Sequence, residues 1–155
     1  MNETHEVASR EPASIEAIVA ALYDTISGPM GKTRDWNRLR SLFYPGARLL
    51  RTTASADGAV SMDAMDVAQF IKLADSYCQA HDFHERELFR RVDQFGHAAH
   101  VFSTYAASAA LDGSQPLGRG INSIQLWFDG RRWWVMSLLW DDERPGQSIP
   151  PQYLP

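Results

Sequence analysis

Apolar positions recur at helical spacing three times in the first half of the chain and at strand spacing through the second. Ile15, Ile18, Val19, Leu22 and Ile26 follow Ser14, a good N-cap, and Gly28-Pro29 ends the run. Asp35 caps a shorter helix with Trp36, Leu39, Leu42 and Phe43 as its buried stripe, and Pro45-Gly46 stops it. A short strand over residues 47–52 and a surface loop over 53–60 lead to a third helix. It is predicted to begin near residues 61–63, with Met65, Phe70, Ile71, Ala74 and Tyr77 on its core side. From residue 83 the pattern becomes that of strands: 83–92, a turn at 93–96, then 97–110. After a turn-rich loop at 111–118, two apolar runs, 121–128 and 133–140, flank Asp129-Gly130, a strong hairpin signal.

That last hairpin holds four of the five tryptophans and is expected to floor the fold. Its faces depend on loop length. A two-residue loop groups Asn122, Ile124 and Leu126 with Trp133, Val135 and Ser137. A three-residue loop bulged at Gly130 groups them with Trp134, Met136, Leu138 and Trp140. The second grouping is the more apolar and is the one expected, leaving Asn122 as the one polar group on a greasy face. Trp127, Trp133, Val135 and Leu139 then lie on the convex side, an apolar patch that predicts a homodimer.

Helices first and strands after them predict an α+β fold. Three N-terminal helices pack on a strongly curved mixed, mainly antiparallel sheet, cone-shaped with an internal pocket. Residues 1–13 read as a disordered lead-in and 14–143 as one domain. Residues 144–155 read as a proline-rich extended tail held by Tyr153 and Leu154.

The chain's 155 residues suit one domain that buries about 68–70% of its unfolded surface. A net charge of −4 and a pI near 5.7 leave no footprint for nucleic acid. Lys32, Arg34, Arg38, Arg40, Arg48 and Arg51 cluster, and all but Arg51 are expected on a solvated helix face. One cysteine, Cys78, rules out an intrachain disulfide and fits a reducing, cytoplasmic setting, with the thiol as packing. No signal-like or membrane-spanning apolar run is present, so no membrane partner is expected. The His81/His84 and His97/His100 spacings fall on strands, where residues three apart point to opposite faces, which argues against a metal site. Gly118 and Gly120 lead into a strand and lack a third glycine, so no dinucleotide cofactor is expected.

Tyr23-Asp24, then Asp35-Trp36 with Leu39, Leu42-Phe43, Pro45 and Ala47, and the closing hairpin at 120–140 resemble the nuclear transport factor 2-like superfamily. The resemblance covers about residues 14–143 and is closest to an uncharacterised branch. The superfamily includes ketosteroid isomerase, scytalone dehydratase and polyketide cyclases, and it implies a cone with a deep pocket and sheet-to-sheet pairing. It also implies that Tyr23 matches a pocket tyrosine of the isomerase and the dehydratase, and that Asp24 follows it as in the dehydratase. Arg51 stands where the isomerase carries its aspartate base, so that route is not expected. The second pocket tyrosine of the dehydratase, near the same place, is also replaced. His100 falls within a residue of a dehydratase pocket histidine. Met136, Leu138 and Trp140 match pocket-lining positions. Fold alone does not carry chemistry in such a superfamily.

With a four-residue turn at 93–96, His100 faces Phe89, Glu87 faces Phe102 and Glu85 faces Thr104. Glu85, Glu87 and His100 then share one face, and a carboxylate beside a histidine makes an acid–base pair. The opposing reading pairs the glutamates with Arg90 or Arg91. Arg51 either pairs with Asp24 or Glu85 or binds an anionic ligand. The functional expectation is a pocket for a small molecule, lined by Phe102, Asn122, Ile124, Met136, Leu138 and Trp140. His100, Tyr23, Asp24 and Glu85 are the catalytic candidates, and Arg51 and Glu87 join the ligand contacts. A dehydratase or isomerase acting on a cyclic or polyketide-like substrate is one outcome. The other is a non-catalytic ligand-binding or dimeric interaction domain.

Overall fold

The computed structural model describes residues 11–155. The expected lead-in therefore lies outside the described residues except for its end, which is tied down: the Pro12 carbonyl accepts from Trp133 N at 2.9 Å, and Glu11 pairs with Arg131 at 3.0 Å.

Helix α1 (Ile15–Ile26) begins where the Ser14 hydroxyl accepts from Ala17 N at 3.1 Å, and it buries Ile15, Ile18, Val19, Leu22 and Tyr23. Past its end Arg34 folds inward. Its guanidinium donates to the carbonyls of Ile26, Gly28, Pro29 and Lys32, so this arginine is buried and not on a solvated face as expected. Helix α2 (Trp36–Ser41) is one and a half turns on its Asp35 cap.

Strand β1 (Phe43–Ala54) is longer than expected, and an unpredicted strand β2 (Val60–Met65) pairs with it, Arg51 opposite Asp63. Helix α3 accordingly starts later, at Val67, and runs to Ala80. Asp66 and Gln69 close it with a reciprocal capping box. Strands β3 (His84–Phe95), β4 (Ala98–Ser108), β5 (Pro116–Phe128) and β6 (Trp133–Asp142) complete one six-stranded sheet of order β2-β1-β6-β5-β4-β3. Only β1 and β6 run parallel. All three helices pack on one face, where Leu39, Leu42, Leu49, Val101, Ile124 and Val135 join the α1 stripe as the core. On the other face the tail's short 3₁₀ turn, Pro151–Tyr153, lies against β4: Tyr153 meets the Phe102 ring at 5.0 Å, and its carbonyl accepts from Thr104 Oγ1 at 2.7 Å.

Two bulges shape the sheet. In the β5–β6 hairpin, Leu126 pairs with Val135 but Gln125 with Ser137, leaving Met136 as an extra residue. The loop has four residues, Asp129 to Arg132, pinned by the Asp129 carboxylate accepting from the backbone of Arg131 and Arg132 and from the Trp134 indole. The expected three-residue loop bulged at Gly130 is corrected to a four-residue loop with its bulge at Met136, so each expected grouping of faces holds for half the hairpin. Trp133 and Val135 are inward near the turn, and Leu138 and Trp140 are inward beyond the bulge. Met136 is exposed, so its expected place in the pocket wall is corrected, as is the convex placement of Trp133 and Val135. In β3, Glu87 pairs with Tyr105 while Phe89 pairs with Thr104, so Leu88 is the extra residue.

Candidate functional site

Between α1, α3 and the helix-covered face of the sheet lies a cavity of about 790 Å³. It exists because α3 is loosely docked. That helix buries only Ile71 and Cys78, while Leu73 and Tyr77 stay largely exposed. Leu22, Ile26, Phe70, Ile124, Leu138 and Trp140 form an apolar wall. Trp140 meets Phe70 edge-on at 6.1 Å. Burial raises the thiol of Cys78, which lines the same space, and this fits a packing residue better than a nucleophile.

The polar groups converge on the opposite side, from β3, β4, β5 and α1. Asn122 Nδ2 donates to Tyr23 Oη at 3.1 Å, and Tyr23 shares a 2.6 Å bond with Ser103 Oγ. Ser103 spends its proton on Glu87 Oε2, so Tyr23 must be the donor to Ser103. Glu87 also accepts from Arg90, whose guanidinium is 2.6 Å away and reaches Glu16 on α1. The order Asn122 to Tyr23 to Ser103 to Glu87 is a one-way chain of donors ending on an ion pair. Tyr23 is a positioned acceptor toward the cavity, and burial raises its hydroxyl above the ordinary tyrosine value. Glu87 is absent from the cavity wall, and its pairing with Arg90 follows the alternative reading of the glutamates.

Glu85, two residues earlier on the same side of β3, lines the cavity itself. Burial against this wall, then the neighbouring Asp142 charge, push its carboxyl up to about 8, while a hydrogen bond from Asn122 pulls the other way. Glu85 is thus a carboxylic acid that keeps its proton at neutral pH and opens onto an apolar space. Beside it Tyr105 donates to Asp142, and its ring and hydroxyl lie directly over Gly120. A side chain on Gly120 would collide with that hydroxyl and with the Asp141 carbonyl. Tyr105 and Asp142 escaped the sequence reading. Alternation from Trp140 could have found Asp142, whereas the inward place expected for Phe102 hid Ser103 and Tyr105 on the opposite face.

Arg51 stands at the cavity rim, exposed, on the same side of β1 as buried Leu49 and level with Trp140 of β6. Among the described residues it makes no ion pair, and Asp24, one of its expected partners, is engaged by Arg38 at 2.5 Å. Asp24 is itself exposed, outside the cavity wall. His100 and Phe102 sit on the far face of the sheet. His100 meets Ser123 Oγ at 2.9 Å and pairs in register with Asp93, so the expected grouping of His100 with Glu85 and Glu87 does not form. The tight turn at Gly96-His97 shifts the register without changing its parity. The bulge at Leu88 then turns Glu85 and Glu87 to the opposite face from His100.

No family model matches the chain, and no curated protein matches it in sequence. Its fold matches solved structures. A protein of unknown function from Mycobacterium tuberculosis shares 18% identity over 88% of this chain and 80% of that one, with a TM-score of 0.64. An NTF2-like protein of unknown function from Pseudomonas putida shares 11% over 88% and 90%, at 0.62. A putative calcium/calmodulin-dependent protein kinase type II association domain from Thiobacillus denitrificans shares 9% over 86% and 98%, at 0.63. The chain has the NTF2-like, cystatin-like fold, and among the described residues no helix is long and apolar enough to cross a membrane.

Proposed function

We propose that the cavity takes a small, largely apolar molecule and that Glu85 moves a proton on it, as a dehydratase or isomerase of cyclic substrates requires. The observation that carries this is the Glu85 carboxyl set in the wall of an apolar cavity, beside the Asn122, Tyr23 and Ser103 chain of hydrogen bonds; burial there raises it toward neutral pH. An acid with a value near working pH can give its proton to a departing hydroxyl or an enolising carbonyl and take one back. Asn122 steadies Glu85, and the donor chain through Tyr23, Ser103 and Glu87 steadies Asn122. These are positioning residues. The opposing reading, binding without chemistry, draws on the same chain, because a Tyr23 hydroxyl satisfied by Ser103 and Asn122 is also what a structural network looks like.

Arg51 gives the ligand a sign. A free guanidinium at the rim of an apolar cavity favours a molecule with a carboxylate at one end, held in bidentate fashion, while the walls bury the rest. Thermal shifts with matched pairs, each an aromatic or alicyclic acid and its amide, test this. Acids are expected to raise Tm more than amides, and Arg51→Met to erase the difference. Equal shifts within every pair would remove Arg51 from the ligand site.

The chain is also proposed to pair with a second copy through its outer sheet face. The tail already covers the β4 part of that face, which leaves the part around Trp127 and Met136, both more than a third exposed. One structural relative carries the description of an association domain. Light scattering at micromolar concentration is expected to give twice the chain mass. The monomer mass would refute the pairing.

A further inference from the structure

A second, separate cleft of about 560 Å³ lies where β1 parts from β6. Phe43 pairs with Val135 but Arg48 with Ser137, so the intervening β1 residues loop out of the ladder, and Gly46 turns with a φ of +88°. The cleft is lined by three arginines: Arg40 from α2, Arg48 from β1 and Arg132 from the β5–β6 turn. Among the described residues none of the three is in an ion pair. Arg40 donates only to Asn37 Oδ1, at 3.0 Å.

Arg132 is the decisive member. It is 5% exposed, and it is fixed on three sides. Nε donates to the Trp133 carbonyl at 3.2 Å, Nη2 donates to Ser41 O at 2.8 Å, and the guanidinium sits 3.7 Å over the Trp134 ring. Among the described residues its Nη1 has no partner, and none of their buried side-chain donors is left unsatisfied, so on these residues Nη1 faces solvent. A buried, pre-oriented guanidinium with one free edge is an anion receptor held in place before the anion arrives. Among the described residues the one carboxylate in the lining is Asp66, already engaged by Gln69 N at 2.8 Å; burial lowers Arg132 from the usual guanidinium value, and the Glu11 and Asp129 charges oppose that.

We infer that this cleft binds a small phosphate monoester. The lining holds three guanidiniums and one carboxylate, and of the two further carboxylates near Arg132 Glu11 is paired with Arg131, so the cleft stays net positive and favours a phosphate dianion over a single carboxylate. The space exceeds what phosphate alone fills, and Tyr44, Pro45, Val67 and Trp134 offer an apolar wall to the group that carries it.

Calorimetric titration of the full chain at fixed ionic strength, with phenyl phosphate, inorganic phosphate and benzoate, tests the inference. Phenyl phosphate is expected to bind tightest, and Arg48→Gln or Arg40→Gln to weaken it about tenfold by removing a charge-assisted contact. Both side chains are exposed, so these variants fold, and Arg51→Gln, at the other cavity, leaves the affinity unchanged. Absence of heat with phenyl phosphate overturns the inference. So does benzoate binding the Arg51→Gln chain as well as phenyl phosphate does, or binding of phenyl phosphate that Arg51→Gln abolishes and Arg48→Gln spares.

Discussion

Glu85→Gln is expected to stabilise the fold at neutral pH by about 2 kcal/mol and to remove any activity the cavity supports. The carboxyl stands at about 8 in the folded chain against an ordinary 4.5. Below about pH 4.5 it is protonated in both states and contributes nothing to the pH dependence. As pH rises from there, the unfolded chain sheds its proton while the folded chain must keep it, so stability falls at about 1.4 kcal/mol per pH unit before screening. The penalty is complete once pH passes about 8. Water entering the open cavity weakens it, hence the smaller figure. Glutamine keeps the shape and the hydrogen bonding of the neutral acid and has nothing to ionise. Denaturant melts of both proteins from pH 4 to 9 should coincide at the acid end and separate progressively above it. A variant that is less stable at pH 8, or a gap that does not change with pH, would show that Glu85 is an ordinary ionised carboxylate.

Gly120→Ala carries the largest expected loss, about 3 kcal/mol, from overpacking against atoms that cannot retreat. The Asp141 carbonyl belongs to the neighbouring strand, and the Tyr105 hydroxyl is held by Asp142. Combining Gly120→Ala with Tyr105→Phe removes the hydroxyl but keeps the ring carbon and the Asp141 carbonyl in the way, so the double variant should recover a small part of the loss and melt above the sum of the single effects. Strict additivity would mean that the ring and the glycine do not touch. The same contact explains why Gly120 reads poorly as a nucleotide motif: it makes room for the protein's own tyrosine.

The starts of the first two helices were legible because caps and periodicity agree, whereas the third was expected too early, over the residues of β2. Ser14, Asp35 and the stripes they open are where the pattern puts them. The strand β2 was not, because Val60–Met65 is an edge strand exposed almost throughout, and a strand with no buried face leaves no alternation to read. The site was half legible. Tyr23, Glu85, Asn122, Ile124, Leu138, Trp140 and Arg51 do gather round one cavity. Met136, Glu87, Phe102, His100 and Asp24 do not line it, the first four being strand residues around the two bulges. A bulge costs no unusual residue, so its position is set by what the sheet packs against and not by the local sequence. Arg34 misled for another reason: its burial is satisfied by backbone carbonyls, which no charge count reveals.

The two extra residues also bear on how such a chain can change over generations. With Met136 set aside, β6 alternates without fault, Trp133, Val135, Leu138 and Trp140 inward and Trp134, Ser137 and Leu139 outward. With Leu88 set aside, the same is true of β3 from Glu85 to Val92. Loss of either codon would thus leave every inward side chain inward while straightening the strand and drawing the helices down onto a flatter sheet. Loss of a codon farther from the bulge would instead turn inside out the stretch between it and the bulge. Cavity volume in this protein can therefore be gained or shed by single insertions and deletions at two places, with the hydrophobic code left intact.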